Sequence, residues 1–254
     1  MDYIMPTKRI ISVVPSQTEL LFDLGLDNEI VGITKFCIHP AEKVIGKTVV
    51  GGTKTLHLDR IHDLKPDFIL ANKEENTREQ IEELQRHYPV HVTDVNTVAE
   101  SLAMIREVGE SVGRKAEAEQ LAKRINASFQ TIKSPGYSSD LSVAYFIWRK
   151  PYRVAAGQTF IHSMLELAGF QNAFGDQSRY PEVNGTDLKT ARPDLVFLSS
   201  EPYPFSKKQV AELQEICPDT RVMLVDGEIF SWYGSRLLKA AEYIRHLRHT
   251  IGLL

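Results

Sequence analysis

The sequence predicts an α/β chain of two lobes, each a mostly parallel sheet flanked by helices, joined by one long backbone helix. Three observations carry that prediction. Short apolar runs alternate with amphipathic stretches up to about residue 95 and again from about residue 140, the βαβ grammar of parallel sheets. Residues 97–133 are instead rich in Ala, Glu, Lys, Arg and Leu, which favour helix. Finally, a basic residue, Pro, Asp and an apolar run recur as KPDFILANKEE at 65–75 and RPDLVFLSSEP at 192–202, with Pro66 and Pro193 standing half of the 254 residues apart.

In chain order, Arg9–Val14 is a short β-branched run ended by Pro15, a buried strand. PSQTELLFDLG follows as a helix stopped at Gly25, with Ser16 and Glu19 at capping-box spacing. Residues 29–34 and Phe68–Ala71 read as strands, ENTREQIEELQRHYP as a polar-faced helix and PVHVTDV as the next strand. Gly109 and Gly113 divide a short helix from one of about 20 residues, about 30 Å long at the α-helical rise.

After the turn residues SPGYSSD the grammar restarts: LSVAYFIW as a strand, KPYRVAAGQ as a loop, TFIHSMLELAGF as a helix ended by Gly169. PSQTELLFDLGLDNEIVG and GQTFIHSMLELAGFQNAFG rhyme, each passing through a helix into a Gly and an Asn-containing turn. The expected division is a lobe over 1–112, a connecting helix over 113–134, roughly Arg114 to Lys133 at its core, and a lobe over 135–254.

Composition narrows the function. With 43% hydrophobic and 25% charged residues the chain has material for a packed core, and a net charge of −3 gives no basic field for a polyanion, so no nucleic acid is expected. Cys37 and Cys217 form neither a CxxC pair nor a four-ligand zinc set and read as reduced structural thiols. The N-terminal apolar run is shorter than the roughly 7–15 residues of a signal-peptide core, and nothing reaches the roughly 18 of a membrane span. The expected location is cytoplasmic as the sequence stands, or periplasmic or cell-surface if the N-terminus has been trimmed.

RIISVVPSQTELLFDLGLDNEIVGIT, the CIHP turn, LHLDRIHDLKPDFILA, AAGQTFIHSMLELAGFQNAF, RYPEV and RPDLVFL follow one another in this chain. In that order they resemble the helical-backbone (class III) binding proteins, the cobalamin, ferric-siderophore and haem receptors of ABC importers. The resemblance covers nearly the whole chain. It implies two α/β lobes bridged by a helix, a metal chelate held in the cleft between them as cargo, no intrinsic cofactor, no catalysis, and an ABC permease as partner. Such receptors commonly dock on permease arginines through a carboxylate after the first Pro-Asp strand; here Glu75 and Glu79 flank Arg78.

In open parallel sheets, ligands sit beyond the carboxyl ends of the strands. Four such loops of the C-terminal half combine aromatics with Arg. They supply Trp148, Arg149 and Tyr152; Arg179 and Tyr180; Tyr203 and Phe205; and Phe230, Trp232, Tyr233 and Arg236. Flat rigid rings and bidentate guanidinium donors suit a large conjugated or chelated anion. The N-terminal half offers Pro15 and Ser16 at a helix N-terminus, His39 in the CIHP turn, Lys54 in GGTK and Asn72 after the Pro-Asp strand. His39 could also ligate a metal through its closeness to Cys37, but a hydrogen-bonded turn residue is the commoner role, and no metal ligand is assigned.

Enzyme signatures fail. VIGKT lacks the first glycine of a phosphate-binding loop, no strand-to-helix GxSxG elbow occurs, since GESVG at 109–113 lies within the helix-rich stretch, and HExxH and GxGxxG are absent. The alternative to a binding protein is a cytosolic chelatase or tetrapyrrole-handling enzyme on a similar frame, with Glu201, Glu228 and His39 as its acid–base candidates.

Overall fold

The computed structural model describes residues 9–132, 137 and 139–253. The chain separates into two compact units. Over the described residues, unit 1 comprises 9–95, 101–124 and 233–236; unit 2 comprises 96–100, 125–132, 137, 139–232 and 237–253.

In unit 1, β1 (Ile10–Ser12) leads through α1 (Pro15–Asp23) to β2 (Ile30–Ile33), and α2 (Ala41–Val44) to β3 (Thr48–Val49). A small antiparallel hairpin follows, β4 (Gly51–Gly52) with β5 (Thr55–Leu56), then α3 (Leu58–Leu64), β6 (Phe68–Asn72), α4 (Arg78–Gln85) and β7 (Val90–Thr93). The sheet order is β3-β2-β1-β6-β7, every pair parallel. Ile11, Val13, Ile69 and Ala71 are buried on one face against Val50, Leu56, Ile61, Ile81 and Leu84.

Two helices follow, α5 (Val98–Ser111) and α6 (Lys115–Gln130), and the boundary between the units falls inside α6. The break between them is at Gly113, at φ +75°, a left-handed conformation open to glycine. Gly109, expected to help divide the helices, lies inside α5, and its lack of a side chain serves packing: a Cβ there would meet the Ala118 Cβ at 2.2 Å. The long helix is therefore 16 residues rather than about 20, about 24 Å at the α-helical rise.

Unit 2 repeats the plan: β8 (Ser142–Trp148), β9 (Arg153–Val154), α7 (Phe160–Leu167), β10 (Gln171–Asn172), α8 (Gly185–Ala191), β11 (Leu195–Ser199), α9 (Lys207–Ile216), β12 (Arg221–Val225), α10 (Gly227–Ser231) and α11 (Leu237–Ile251). The sheet order is β10-β8-β11-β12, parallel throughout, with β9 antiparallel on β8. Ala144, Phe146, Val196 and Leu198 pack with Val154, Phe174, Leu188 and Leu213 beneath it. The predicted α/β class, two lobes of mostly parallel sheet, is borne out. β9 lies within the segment expected as a loop, since the chain reverses at Lys150, at φ +64°.

The rhymes in the sequence are equivalences of structure. β2-β1-β6-β7 in unit 1 and β10-β8-β11-β12 in unit 2 share order and direction, and Gly25 and Gly169 end the corresponding helices at φ +76° and +80°. Lys65 and Arg192, which open the repeated phrase, are both left-handed C-caps, of α3 and α8, at φ 45°. The phrase's aspartates repeat a role as well. The Asp67 carboxylate accepts from Arg9 N and the Asp194 carboxylate from Ser142 N, each at 2.8 Å. Each thereby satisfies a backbone donor where the neighbouring central strand begins. The pair of bonds from Ser142 N and Oγ holds the Asp194 carboxyl below its ordinary range.

One local expectation fails. Ser16 and Glu19 form no capping box: Val14 is the N-cap, Pro15 occupies the first turn, and Ser16 is buried in the helix. Glu19 is held elsewhere. Its two oxygens accept from Arg236 Nε and Nη2 at 2.8 and 2.9 Å, with both side chains 7% exposed.

Candidate functional site

In unit 2 the loop after β8 is fixed by a carboxylate that sequence reading did not single out. Glu212, on α9, accepts from Arg149 Nη2 at 2.7 Å and from the Tyr152 hydroxyl at 2.6 Å. Both bonds, with the nearby guanidinium, hold the Glu212 carboxyl below its ordinary range. Burial, reinforced by the anionic acceptor, pushes the Tyr152 phenol up to about 12. With Arg149 and Tyr152 so engaged, Trp148 is left 41% exposed at the carboxyl end of β8. Its ring stands edge-on to Tyr203, at 5.9 Å, and Tyr203 to Phe205, at 4.7 Å. The structure thus brings together five predicted residues from two strand-end loops. Phe205 is the buried root of this stack and Trp148 its exposed tip.

The RYPEV loop lies along β9. Arg153 donates to Tyr180 O at 3.0 Å and to Glu182 at 2.5 Å. Arg179, at φ +64°, places its guanidinium 5.7 Å from the Tyr180 ring centre and donates to Asn96 Oδ1 and Gln158 O, each at 2.9 Å.

The loops after β11 and β12 meet at Glu201. Its carboxylate accepts from Trp232 Nε1 at 2.8 Å and from Ser231 Oγ at 2.5 Å. Burial raises its pKa above the ordinary value, an effect the two donors oppose and the charges of Glu228 and Asp226 reinforce. Glu201 therefore orients Trp232, which is itself buried. Gly227 gives the carboxylate its space, since a Cβ there would sit 2.3 Å from Ser199 Oγ and 2.8 Å from Glu201 Cγ. Phe230 is fully buried between Tyr145 and Phe197, at ring distances of 5.2 and 6.3 Å.

In unit 1 the structure gathers Ser16, Tyr233 and Arg236, which come from opposite ends of the chain. A Cβ on Gly234 would lie 3.2 Å from Ser16 O, and Arg236 is bonded to Glu19 on the same helix. Tyr233 and Arg236 are buried, and Pro15 is half-buried at the helix N-terminus. Asn72 is also buried: its amide donates to Thr93 O and Oγ1, both at 3.0 Å, while its carbonyl accepts from Glu74 N and Glu75 N. It ties the carboxyl ends of β6 and β7 together. Lys54 is exposed and donates to Glu74 O.

His39 is half-buried at the end of the loop after β2. Cys37, a free thiol like Cys217, roots that loop at 3.1 Å from Thr18 Oγ1 and 3.2 Å from Thr34 Oγ1. Burial pushes the Cys37 thiol up. On either side of it Phe36 and Ile38 are 49% and 50% exposed. Sequence reading passed over this pair. Its only signal is the alternation in KFCIH, apolar residues flanking a buried cysteine where a strand runs out. Among the described residues no three His, Cys, Asp or Glu side chains converge as a metal-binding group.

Comparison with known proteins identifies the family and the fold. The family described as periplasmic binding protein matches residues 10–216. An uncharacterized ABC transporter substrate-binding lipoprotein of Bacillus subtilis is 26% identical over 246 residues, covering 92% of this chain and 78% of that protein. A vitamin B12-binding protein of Vibrio campbellii is 27% identical over 203 residues, 76% of this chain and 71% of that protein. Among solved structures, the apo periplasmic heme-binding protein RhuT of Roseiflexus sp. RS-1 superposes with a TM-score of 0.82 at 20% identity, over 95% of this chain and 96% of that one. The periplasmic vitamin B12-binding protein BtuF of Vibrio cholerae gives 0.79 at 22% identity, over 97% and 99%. At such identities the structural likeness speaks to the fold.

Proposed function

This chain belongs to the periplasmic binding protein family, and on that premise we propose that it captures a metal chelate, corrinoid, haem or ferric siderophore, as cargo for ABC-type uptake. The observation that carries the reading is the exposed Trp148 at the tip of an aromatic stack, held by the Arg149–Glu212–Tyr152 bonds. A preordered aromatic surface at the carboxyl end of a parallel strand takes a large conjugated ligand with little ordering entropy lost on binding. The relatives named above for vitamin B12 and heme support the same class.

The proposed contacts are Trp148, Tyr203, Arg179 and Tyr180 in unit 2, and Pro15, His39 and Lys54 in unit 1. Arg149, Tyr152, Phe205, Phe230, Trp232, Tyr233, Arg236, Ser16 and Asn72 shape the loops that present them. The proposed place of work is outside the cytoplasm, next to a permease. The lipoprotein and periplasmic relatives favour it, and among the described residues no helix is long and apolar enough to cross a membrane.

The test is a tryptophan fluorescence titration of the full chain with cyanocobalamin, haem and a ferric catecholate. At least one should quench. Trp148→Phe should remove most of that response and Trp232→Phe little of it, because Trp148 is exposed and Trp232 buried. No response to any of the three refutes the reading.

A further inference from the structure

Unit 1 exposes an apolar pair where a parallel sheet presents ligand. Phe36 and Ile38 lie on the loop that leaves β2, each about half exposed, with Cys37 between them pinned beneath α1 by Thr18 and Thr34. Lys35 N donates to Gly51 O at 2.9 Å, which fastens the loop's first residue to the hairpin of β4 and β5. The hairpin also makes room for the loop's side chains. A Cβ on Gly52 would stand 3.3 Å from Phe36 Cε2 and 3.4 Å from Lys35 Cε, so the Phe36 ring and the Lys35 stem lie on bare backbone. The Lys35 ammonium lies 5.0 Å from the Phe36 ring centre and pairs with no carboxylate among the described residues.

Phe36 and Ile38 offer apolar surface to an occupant, and the backbone that presents them is anchored at Lys35 before the pair and at Cys37 between them. Ligands of open parallel sheets lie beyond the carboxyl ends of the strands, where this loop begins. The cation beside the ring adds a sign: an occupant with an apolar face and a peripheral acid satisfies both, whereas a neutral occupant leaves Lys35 desolvated and unpaired. We infer that Phe36, Ile38 and Lys35 form a ligand subsite that takes the flat apolar face of a macrocycle carrying carboxylate substituents. This rests on the proposed chelate-binding function and narrows it to the anionic, apolar-faced members of that class. Gly52 and Cys37 are positioning residues of the subsite, the first giving Phe36 its bed and the second holding the loop down.

The experiment titrates the full chain with haem, haem dimethyl ester and cyanocobalamin, following the absorbance of each ligand. Wild type should bind haem more tightly than its ester. Phe36→Ala with Ile38→Ser should weaken haem and ester alike by about ten-fold. Lys35→Gln should weaken haem about three-fold and leave the ester unchanged, erasing the preference between them. Ile45→Ala, at a residue 79% exposed further along the same connection, should change nothing, and thermal melts of all variants report whether each is folded. Haem binding that stays within two-fold in the folded Phe36→Ala/Ile38→Ser protein overturns the subsite and leaves the chelate-binding reading standing. Wild type that takes cyanocobalamin but not haem overturns the ligand class. Binding of none of the three ligands, nor of a ferric catecholate, removes the underlying reading and the inference with it.

Discussion

Replacing Arg236 with alanine should leave the Glu19 carboxylate buried without the guanidinium that now holds both of its oxygens. The two bonds are 2.8 and 2.9 Å, and each side chain is 7% exposed, so solvent screens the pair little. Breaking a buried pair from one side costs about 3–5 kcal/mol, most of it the desolvation of the charge left behind. For a chain of this size that is a fall in melting midpoint of about 6–20 °C. Urea unfolding followed by circular dichroism measures the loss. Glu19→Leu combined with Arg236→Met should recover most of it, because the apolar pair buries no charge. A folded Arg236→Ala protein within about 1 kcal/mol of wild type would refute the reasoning. If that same protein lost chelate affinity, Arg236 would be serving the ligand rather than Glu19.

Glu201 makes a prediction in pH. Burial raises its folded pKa above the ordinary 4.5, so its contribution to stability is present in full below that value and is lost as pH rises through the folded value. Glu201→Gln keeps an acceptor for Trp232 Nε1 without the charge; the variant should gain on wild type in thermal melts from about pH 4.5 upward, and a gap that narrows with pH would count against the assignment. Phe230→Ala removes a fully buried ring from the Tyr145–Phe197 packing and should cost about 3–5 kcal/mol in denaturant unfolding. A loss under 1 kcal/mol, with ligand affinity reduced instead, would make Phe230 a ligand contact.

Much of the fold was legible because its signals are short-range. Apolar runs of four to seven residues next to Gly and Pro turns place strands and helix ends, since chain geometry at those positions depends on adjacent residues. The repeated Pro-Asp phrase is the clearest case: Lys65 and Arg192 close their helices in the left-handed conformation, and the strands that follow are equivalent members of two sheets. The misreadings come from partners distant in sequence. Ser16 and Glu19 have capping-box spacing, but Glu19 belongs to Arg236, 217 positions away. Gly109 looked like a helix break because its packing against Ala118 leaves no mark at short range.

The same division runs through the candidate site. Sequence alone determined which loops are rich in aromatic and basic residues and that they follow strands, because composition and periodicity are properties of adjacent residues. Only the tertiary structure decided which of those side chains reach solvent. Trp148 is exposed and Phe230 enclosed, although both are large aromatics near a strand end. Arg149 and Tyr152 are spent on Glu212, and the overlooked Phe36 and Ile38 stand out beside a buried thiol. Exposure depends on what the rest of the chain brings within a few ångströms, which no local window of residues contains.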